Sequence, residues 1–232
     1  MIKKRLLVIV LSSLCSLPLQ AASVSSKPVV DSQAVTTAAG INHDKQAAED
    51  LAESLQSIHS LSASFEQQTV ASQGRVKTEN GEVLIKRPNQ FRWDTRKPFN
   101  QDIVSKDNKI WMVDTDLMQV VIKKQDDTQG PTPVQLLSGN ASEFLKNYRV
   151  VRVGDRNKEL TYTLRPVGES ELFEQLDVTF NKGVLTSMTL KDSLGGKRRI
   201  TFSDMKLNEK VDDKRFQINI PKDFDVIDET RS

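Results

Sequence analysis

At Ala63 the hydrophobic period of the chain changes from about 3.6 residues to two, and this change limits the fold more than any other feature of the sequence. Beyond it, short runs rich in Val, Ile, Phe, Thr and Tyr alternate with polar residues, and turn signals recur about every ten residues. They include Lys106-Asp107-Asn108-Lys109, Asp114-Thr115-Asp116, Gly154-Asp155-Arg156-Asn157, Asn181-Lys182-Gly183 and Asp192-Ser193-Leu194-Gly195-Gly196. Connections this short close hairpins and cannot carry a helical crossover, so the sheet is expected to be antiparallel. Sided strands are plain at Leu176, Val178 and Phe180, at Val184, Thr186, Met188 and Leu190, and at Phe216, Ile218 and Ile220.

Before the switch, Asp44 can cap a helix on which Ala48, Leu51, Leu55 and Ile58 follow helical spacing, with Glu49, Asp50 and Glu53 outside. Thr132-Pro133-Val134-Gln135-Leu136-Leu137-Ser138-Gly139 interrupts the strands with a cap, a Pro at the first helical position and a terminating Gly. A further short helical stretch is expected at Ser142 to Lys146, with Phe144 and Leu145 apolar. About eleven strands on one meander, with about three short amphipathic helices, suit no flat sheet. A long twisted sheet curls, and its apolar concave face must be covered. The helices can cover the mouth of a curled half-barrel or fill it as an ordinary core. Periodicity leaves both open.

The beginning of the chain changes how its composition reads. Lys3, Lys4 and Arg5 precede an apolar run from Leu6 that continues to Leu19, followed by Ala21 and Ala22. That is the pattern of a secretory signal, with cleavage expected after Ala21. Cys15 raises a lipoprotein signal, but the bulky Leu14 stands where a small residue belongs. Removing residues 1–21 leaves 232 − 21 = 211 residues, takes the formal charge from +2 to +2 − 3 = −1, and removes the single Cys. The basic balance thus belongs to the leader and gives no sign of nucleic-acid binding. Residues 22–43 lack periodicity and read as a flexible extension ahead of one domain over 44–232. The longest strictly aliphatic or aromatic run beyond Ala22, Ile110-Trp111-Met112-Val113, is far too short to span a membrane.

No enzyme constellation emerges, whether G-x-S-x-G, a Walker A loop, G-x-G-x-x-G, H-E-x-x-H or a Cys–His pair. Asp102, Asp107, Asp114 and Asp116 are dense enough to suggest calcium, but three of them sit in or beside turns, where Asp is common for backbone reasons. His43 and His59 are sixteen residues apart with no Cys nearby, and read as helix-end residues. Lys197-Arg198-Arg199 is either a solvated strand start or a docking patch for an acidic partner. The most informative stretch is Lys86-Arg87-Pro88-Asn89-Gln90-Phe91-Arg92-Trp93. Alternation puts Val83, Ile85 and Arg87 on one face, Pro88 ends the ladder, and Phe91 and Trp93 then share a side. Arg87 is either an edge-strand arginine reaching to water, or a gate whose five donors bond the carbonyls ending a lid helix.

Arg87-Pro88-Asn89, Phe91, Trp93, Pro98, Trp111, the stretch from Asp114 to Gln119, Thr132-Pro133 and Leu136-Leu137 together resemble LolA. The order extends upstream to Leu61-Ser62-Ala63-Ser64-Phe65-Glu66-Gln67, and downstream through Tyr162 to Pro166, Phe173 to Phe180 and Phe216 to Pro221. The resemblance covers roughly residues 44 to 228. It implies a mainly β fold with an α lid: an unclosed antiparallel β-barrel enclosing an apolar cavity. It implies a monomeric periplasmic carrier with no reaction and no cofactor. The cargo would be acylated lipoproteins, accepted from the inner-membrane LolCDE complex and passed to the outer-membrane receptor LolB, without stable membrane insertion. The Arg matching Arg87 would hold the lid shut, and the Phe matching Phe91 would serve partner contact and loading. Alternation adds Val83, Ile85, Trp93, Met112 and Met118 as residues facing the cavity. Two other readings stand beside this one: a LolB-like anchored receptor on the same fold, and a secreted β-domain binding a protein or sugar.

Overall fold

A computed structural model describes residues 36–72, 74–125, 133–168 and 173–231. The expected leader, its cleavage after Ala21, residues 22–35 of the expected extension and the Thr132 cap lie outside the described residues.

Helix α1 (Thr36–Gln56) runs first, and Asp44 lies inside it rather than at its start. It is therefore 21 residues long, not short, and the expected boundary at residues 43 and 44 falls within a helix. Ala47, Leu51, Ala52 and Leu55 form its buried face, while Glu49 and Glu53 point to water. Fully burying a leucine contributes about 1.5–3 kcal/mol, and Leu51 and Leu55 are both fully buried, so packing holds this helix in place.

The strands fall into two hairpin series. The first is β1 (Ser60–Val70), β2 (Val76–Lys86), β3 (Gln90–Lys97), β4 (Gln101–Lys106), β5 (Lys109–Asp114) and β6 (Gln119–Lys124). Two short helices follow, α2 (Pro133–Ser138) and α3 (Ala141–Leu145). Helix α3 starts one residue before the expected Ser142, because Asn140 caps it by accepting from the Glu143 N–H at 3.2 Å. The second series is β7 (Tyr148–Gly154), β8 (Glu159–Pro166), β9 (Gln175–Asn181), β10 (Val184–Lys191) and β11 (Lys197–Leu207). A final strand, β12 (Asp225–Asp228), completes the sheet.

Twelve strands form one sheet in the order β12-β6-β5-β4-β3-β2-β1-β11-β10-β9-β8-β7. The barrel is unclosed, since β7 and β12 are both edges. The expected single meander is two, because the helical connection carries β7 to the far edge instead of beside β6. The two meanders join where β11 pairs with β1, Leu61 opposite Leu207. All pairs are antiparallel except one: β12 lies parallel to β6, Val226 opposite Val120. At the β7 edge, Asp50 of α1 binds Arg152 and, at 3.1 Å, Arg156, which fixes the helix against the edge strand.

The sequence misplaces two strands. Phe216, Ile218 and Ile220 belong to no strand; Phe216 ends a short 3-10 turn (Asp213–Phe216). It packs on the convex side against Leu84 and Val104, with Val211 and Ile218 beside it. On β10 a register shift between Leu185 and Ser187 flips the parity, so Leu185 is buried and Val184 is exposed. Past the bulge, Met188 and Leu190 return to the expected inner side. The main core fills the concave side, where α1, α2 and α3 meet the inner faces of the strands.

Candidate functional site

The β2–β3 turn is the place where sheet and lid are joined. The Arg87 backbone N–H donates to the His59 carbonyl at 2.9 Å, which anchors the turn to the residue just ahead of β1. Its side chain then reaches under the end of α2. Nη1 donates to the Gly139 carbonyl, and Nη2 donates to the Leu136 carbonyl at 3.4 Å. Asn89, at a φ of 60°, turns its own N–H onto the Ser138 carbonyl at 2.9 Å. The last carbonyls of a helix have no partner within it, so this turn serves as the C-terminal cap of α2. Ser105 of β4 steadies the turn by donating its hydroxyl to the Asn89 carbonyl at 3.1 Å.

Arg87 is partly desolvated here. Burial pushes its pKa below the ordinary arginine value, and Nε is buried with no hydrogen-bond partner. The guanidinium faces neutral carbonyls and forms no ion pair among the described residues. Such a tie has charge-assisted strength, yet it is one cation deep. It can be broken without separating two opposite charges.

Beside the tie lies a concave pocket of about 520 Å³, within the range of about 300–1,000 Å³ usual for small-molecule sites. Phe91, Trp93 and Met112 line it, and so do Ile103 and Ile110 from the first meander. Met188, Leu190 and Ile200 form the opposite wall, and Val134 and Gln135 of α2 close one side. The Trp93 ring lies over Phe65, centroids 4.1 Å apart, and a side chain at Gly81 would collide with both the Asp94 carbonyl and that Phe65 ring. The margin is polar: Gln67 donates to Glu79 at 2.6 Å, and Lys77 pairs with Glu79 at 2.8 Å.

The structure gathers most of the residues singled out from sequence. Arg87 caps α2, and Phe91, Trp93 and Met112 are pocket walls. Val83 and Ile85 sit directly opposite Trp93 and Phe91 on the neighbouring strand, but they are packed into the core and do not line the open space. Met118 is elsewhere: it lies in the turn between β5 and β6, 52% exposed, with a φ of 51°. Alternation cannot be carried through a left-handed turn residue, which is why it fails there. Met188, Leu190, Ile103, Ile110 and Ile200 were missed as wall residues, although the parity of their strands would have found them. Of the acidic residues, Asp102 pairs with Arg92 at 2.5 Å, Asp114 accepts from the Leu117 N–H and Asp116 from the Asn100 N–H. Arg198 faces the pocket margin.

The family described as outer membrane lipoprotein carrier protein LolA matches residues 56–219. A protein of Chromohalobacter salexigens named outer-membrane lipoprotein carrier protein is 39% identical over 184 residues, covering 78% of this chain and 87% of that protein. One of the same name from Alcanivorax borkumensis is 36% identical over 182 residues, covering 78% and 87%. Among solved structures, an uncharacterized conserved protein of Thermus thermophilus shares the fold with a TM-score of 0.51 at 15% identity, covering 80% of this chain and 99% of that one.

Proposed function

The chain belongs to the LolA family of outer-membrane lipoprotein carrier proteins, which carry cargo and catalyse no reaction, and on that premise we propose how it loads and unloads. It works in the periplasm as a monomer once residues 1–21 are removed. There it takes the acyl chains of lipoproteins released from the inner membrane by LolCDE and delivers them to the outer-membrane receptor LolB. Trp93 and Met112 are the proposed acyl-facing residues, with Val83 and Ile85 packed beside them in the core, Phe91 serves loading, and Arg87 holds the lid.

The observation that carries this reading is the tie between the β2–β3 turn and the end of α2, set beside the pocket. Each buried methylene contributes about 0.8 kcal/mol, so several acyl chains fully engulfed would bind too tightly to release. A lid that prefers to be closed lowers the apparent affinity by the fraction of open protein. A hydrogen bond to a charged group contributes about 1.5–3 kcal/mol, so breaking the Arg87 tie is a cost of the right size. Loading opens the lid, and reclosure helps drive cargo towards a tighter acceptor.

The deciding experiment incubates the exported protein with inner-membrane vesicles that hold a labelled lipoprotein and LolCDE with ATP. Labelled lipoprotein is expected to appear in the soluble fraction bound to the protein and to move on to LolB. Soluble protein that never acquires the label would refute the reading.

A further inference from the structure

The turns of this sheet are sorted by chemistry. At the end where β1 turns into β2 and β10 into β11, the connections hold Phe99, Leu117, Met118, Val167 and Leu194, all exposed, and the exposed Val76 opens β2 beside them. Leu194 is 86% exposed. At the opposite end the connections include Arg87-Pro88-Asn89, Asp107-Asn108, Asp155-Arg156-Asn157-Lys158 and Lys182-Gly183. Among the described residues these connections themselves hold no exposed large apolar side chain, and the exposed apolar residues at that end, Val153, Val184 and Leu207, lie within the ends of strands.

The apolar tips share their end with a cluster of cations. Lys197, Arg198 and Arg199 open β11, and Arg75 and Lys77 flank the start of β2, all exposed. The register sets them side by side: Lys197 lies opposite Val70, which lies opposite Val76, and Arg198 lies opposite Thr69, which lies opposite Lys77. Lys77 is held by Glu79 and sits over the Phe99 ring, 5.6 Å from its centre. The side chains of Arg75, Lys197, Arg198 and Arg199 have no hydrogen-bond or ion-pair partner among the described residues. Asp192, the acid nearest to Lys197 along the chain, has its carboxylate engaged by the N–H groups of Leu194 at 2.9 Å and Gly196 at 2.8 Å. Thr69, Lys77 and Arg198 also belong to the margin of the pocket, so this rim is continuous with its opening.

We propose that this rim docks on an anionic lipid surface, with the apolar tips entering the headgroup layer and the cations over acidic headgroups. Apolar side chains spread over several turns, beside unpaired Lys and Arg, match an interfacial anchor. They do not match the core of a protein interface, which is contiguous and depleted in Lys. Docked this way, the protein presents its pocket opening to the bilayer without inserting any element across it. The proposal rests on the carrier reading for its purpose, but its test needs no cargo.

Protein purified after export is sedimented with phosphatidylethanolamine–phosphatidylglycerol vesicles and with phosphatidylcholine vesicles, at low and high salt. Binding is expected on the anionic vesicles alone and is lost at high salt. Each cation near such a surface is worth roughly fivefold in partitioning, so Lys197→Glu with Arg199→Glu should weaken binding by about twenty-five-fold or more. Leu194→Ser should weaken it by roughly fivefold at low salt. Equal binding to neutral vesicles, or no effect of the double charge reversal, overturns the proposal. Absence of binding to either vesicle also overturns it. Uptake of a hydrophobic fluorescent probe, measured on the same samples without vesicles, verifies the fold of each variant. Probe uptake without vesicle binding removes the rim proposal alone, whereas failure of the wild type to take up probe counts against the carrier reading.

Discussion

Gly139 gives its carbonyl to the guanidinium of Arg87, and no larger residue fits at that position. A Cβ there would lie 2.7 Å from the Gln135 carbonyl oxygen and 3.5 Å from the Asn89 side chain. The tight winding that excludes a side chain at the end of α2 also leaves its last carbonyls open to the β2–β3 turn. Lid and sheet are thus joined through backbone carbonyls on one side, and on the other through one cationic side chain and the Asn89 N–H.

Arg87→Leu removes both side-chain bonds to α2 and leaves the Leu136 and Gly139 carbonyls without them. At about 1.5–3 kcal/mol for a charged hydrogen bond, the lid equilibrium should move towards open by roughly one to two orders of magnitude. The variant should still take up lipoprotein but pass it poorly to LolB. Normal transfer in a reconstituted assay would sink the gate.

Gly139→Ala tests the same junction from the helix side. The methyl group meets backbone, which must shift, and overpacking of this kind costs about 1–3 kcal/mol. The midpoint of urea unfolding should fall accordingly, and amide exchange along α2 should quicken. A variant with the wild-type midpoint would show that the helix end adjusts freely.

Phe91→Glu puts a carboxylate into a wall that is 5% exposed. Burying an unpaired charge is costly, so the strand either distorts or draws water into the pocket. Loading from inner membranes should drop severely, while circular dichroism keeps its β signature. Undiminished pull-down of lipoprotein would remove Phe91 from the loading step.

Met112→Trp adds volume where the chain needs space. Met112 borders the pocket and lies opposite Ile103 and Val121, so an indole there projects into the hollow. Uptake of a hydrophobic fluorescent probe should fall several-fold with little change in the thermal midpoint. Full uptake would place the probe somewhere other than this pocket.

Asp102 provides a pH signature. Burial raises its pKa above the ordinary carboxylate value, and the Arg92 guanidinium only partly offsets that. A group raised in the folded state binds more protons there than in the unfolded chain. Its contribution to stability is therefore complete below about pH 3.9 and is lost as pH rises through the folded-state value. Asp102→Asn should flatten this component, so wild-type stability minus variant stability grows on acidification. Urea titrations from neutral to acid pH measure it, and a difference that shrinks instead would reverse the sign argued here.

Much of this was legible because period and punctuation agree. Pro88 ends the β2 ladder just after Arg87, so a long cationic side chain is left at a sheet end with nothing of its own strand to bond. The carbonyls it meets end α2, whose limits Pro133 and Gly139 already marked. The inner row on β9 was plain because Leu176, Val178 and Phe180 sit in unbroken alternation. Where alternation breaks, reading fails: the β10 bulge adds one residue to one strand and flips Val184 outward, an event decided by the partner strand. The early turns of α1 contain Gly40 and no regular apolar spacing, so nothing local marks them as helix. Strand β12 has only four residues, with Asp at each end, and its parallel pairing to β6 depends on where the preceding segment leaves it.

The seam between β1 and β11 has a consequence for the birth of the protein. Leu61 and Leu207 pair across nearly the whole length of the domain, so the ladder that joins the two meanders cannot form until β11, in the last sixth or so of the chain, is available. Contacts so distant in sequence make folding slow. For a chain exported as proposed, a late-forming seam delays the joining of the two meanders. By pairing its first strand with its eleventh, this topology leaves the two meanders unjoined until synthesis is nearly complete. The delay is written into strand order, not into any single residue.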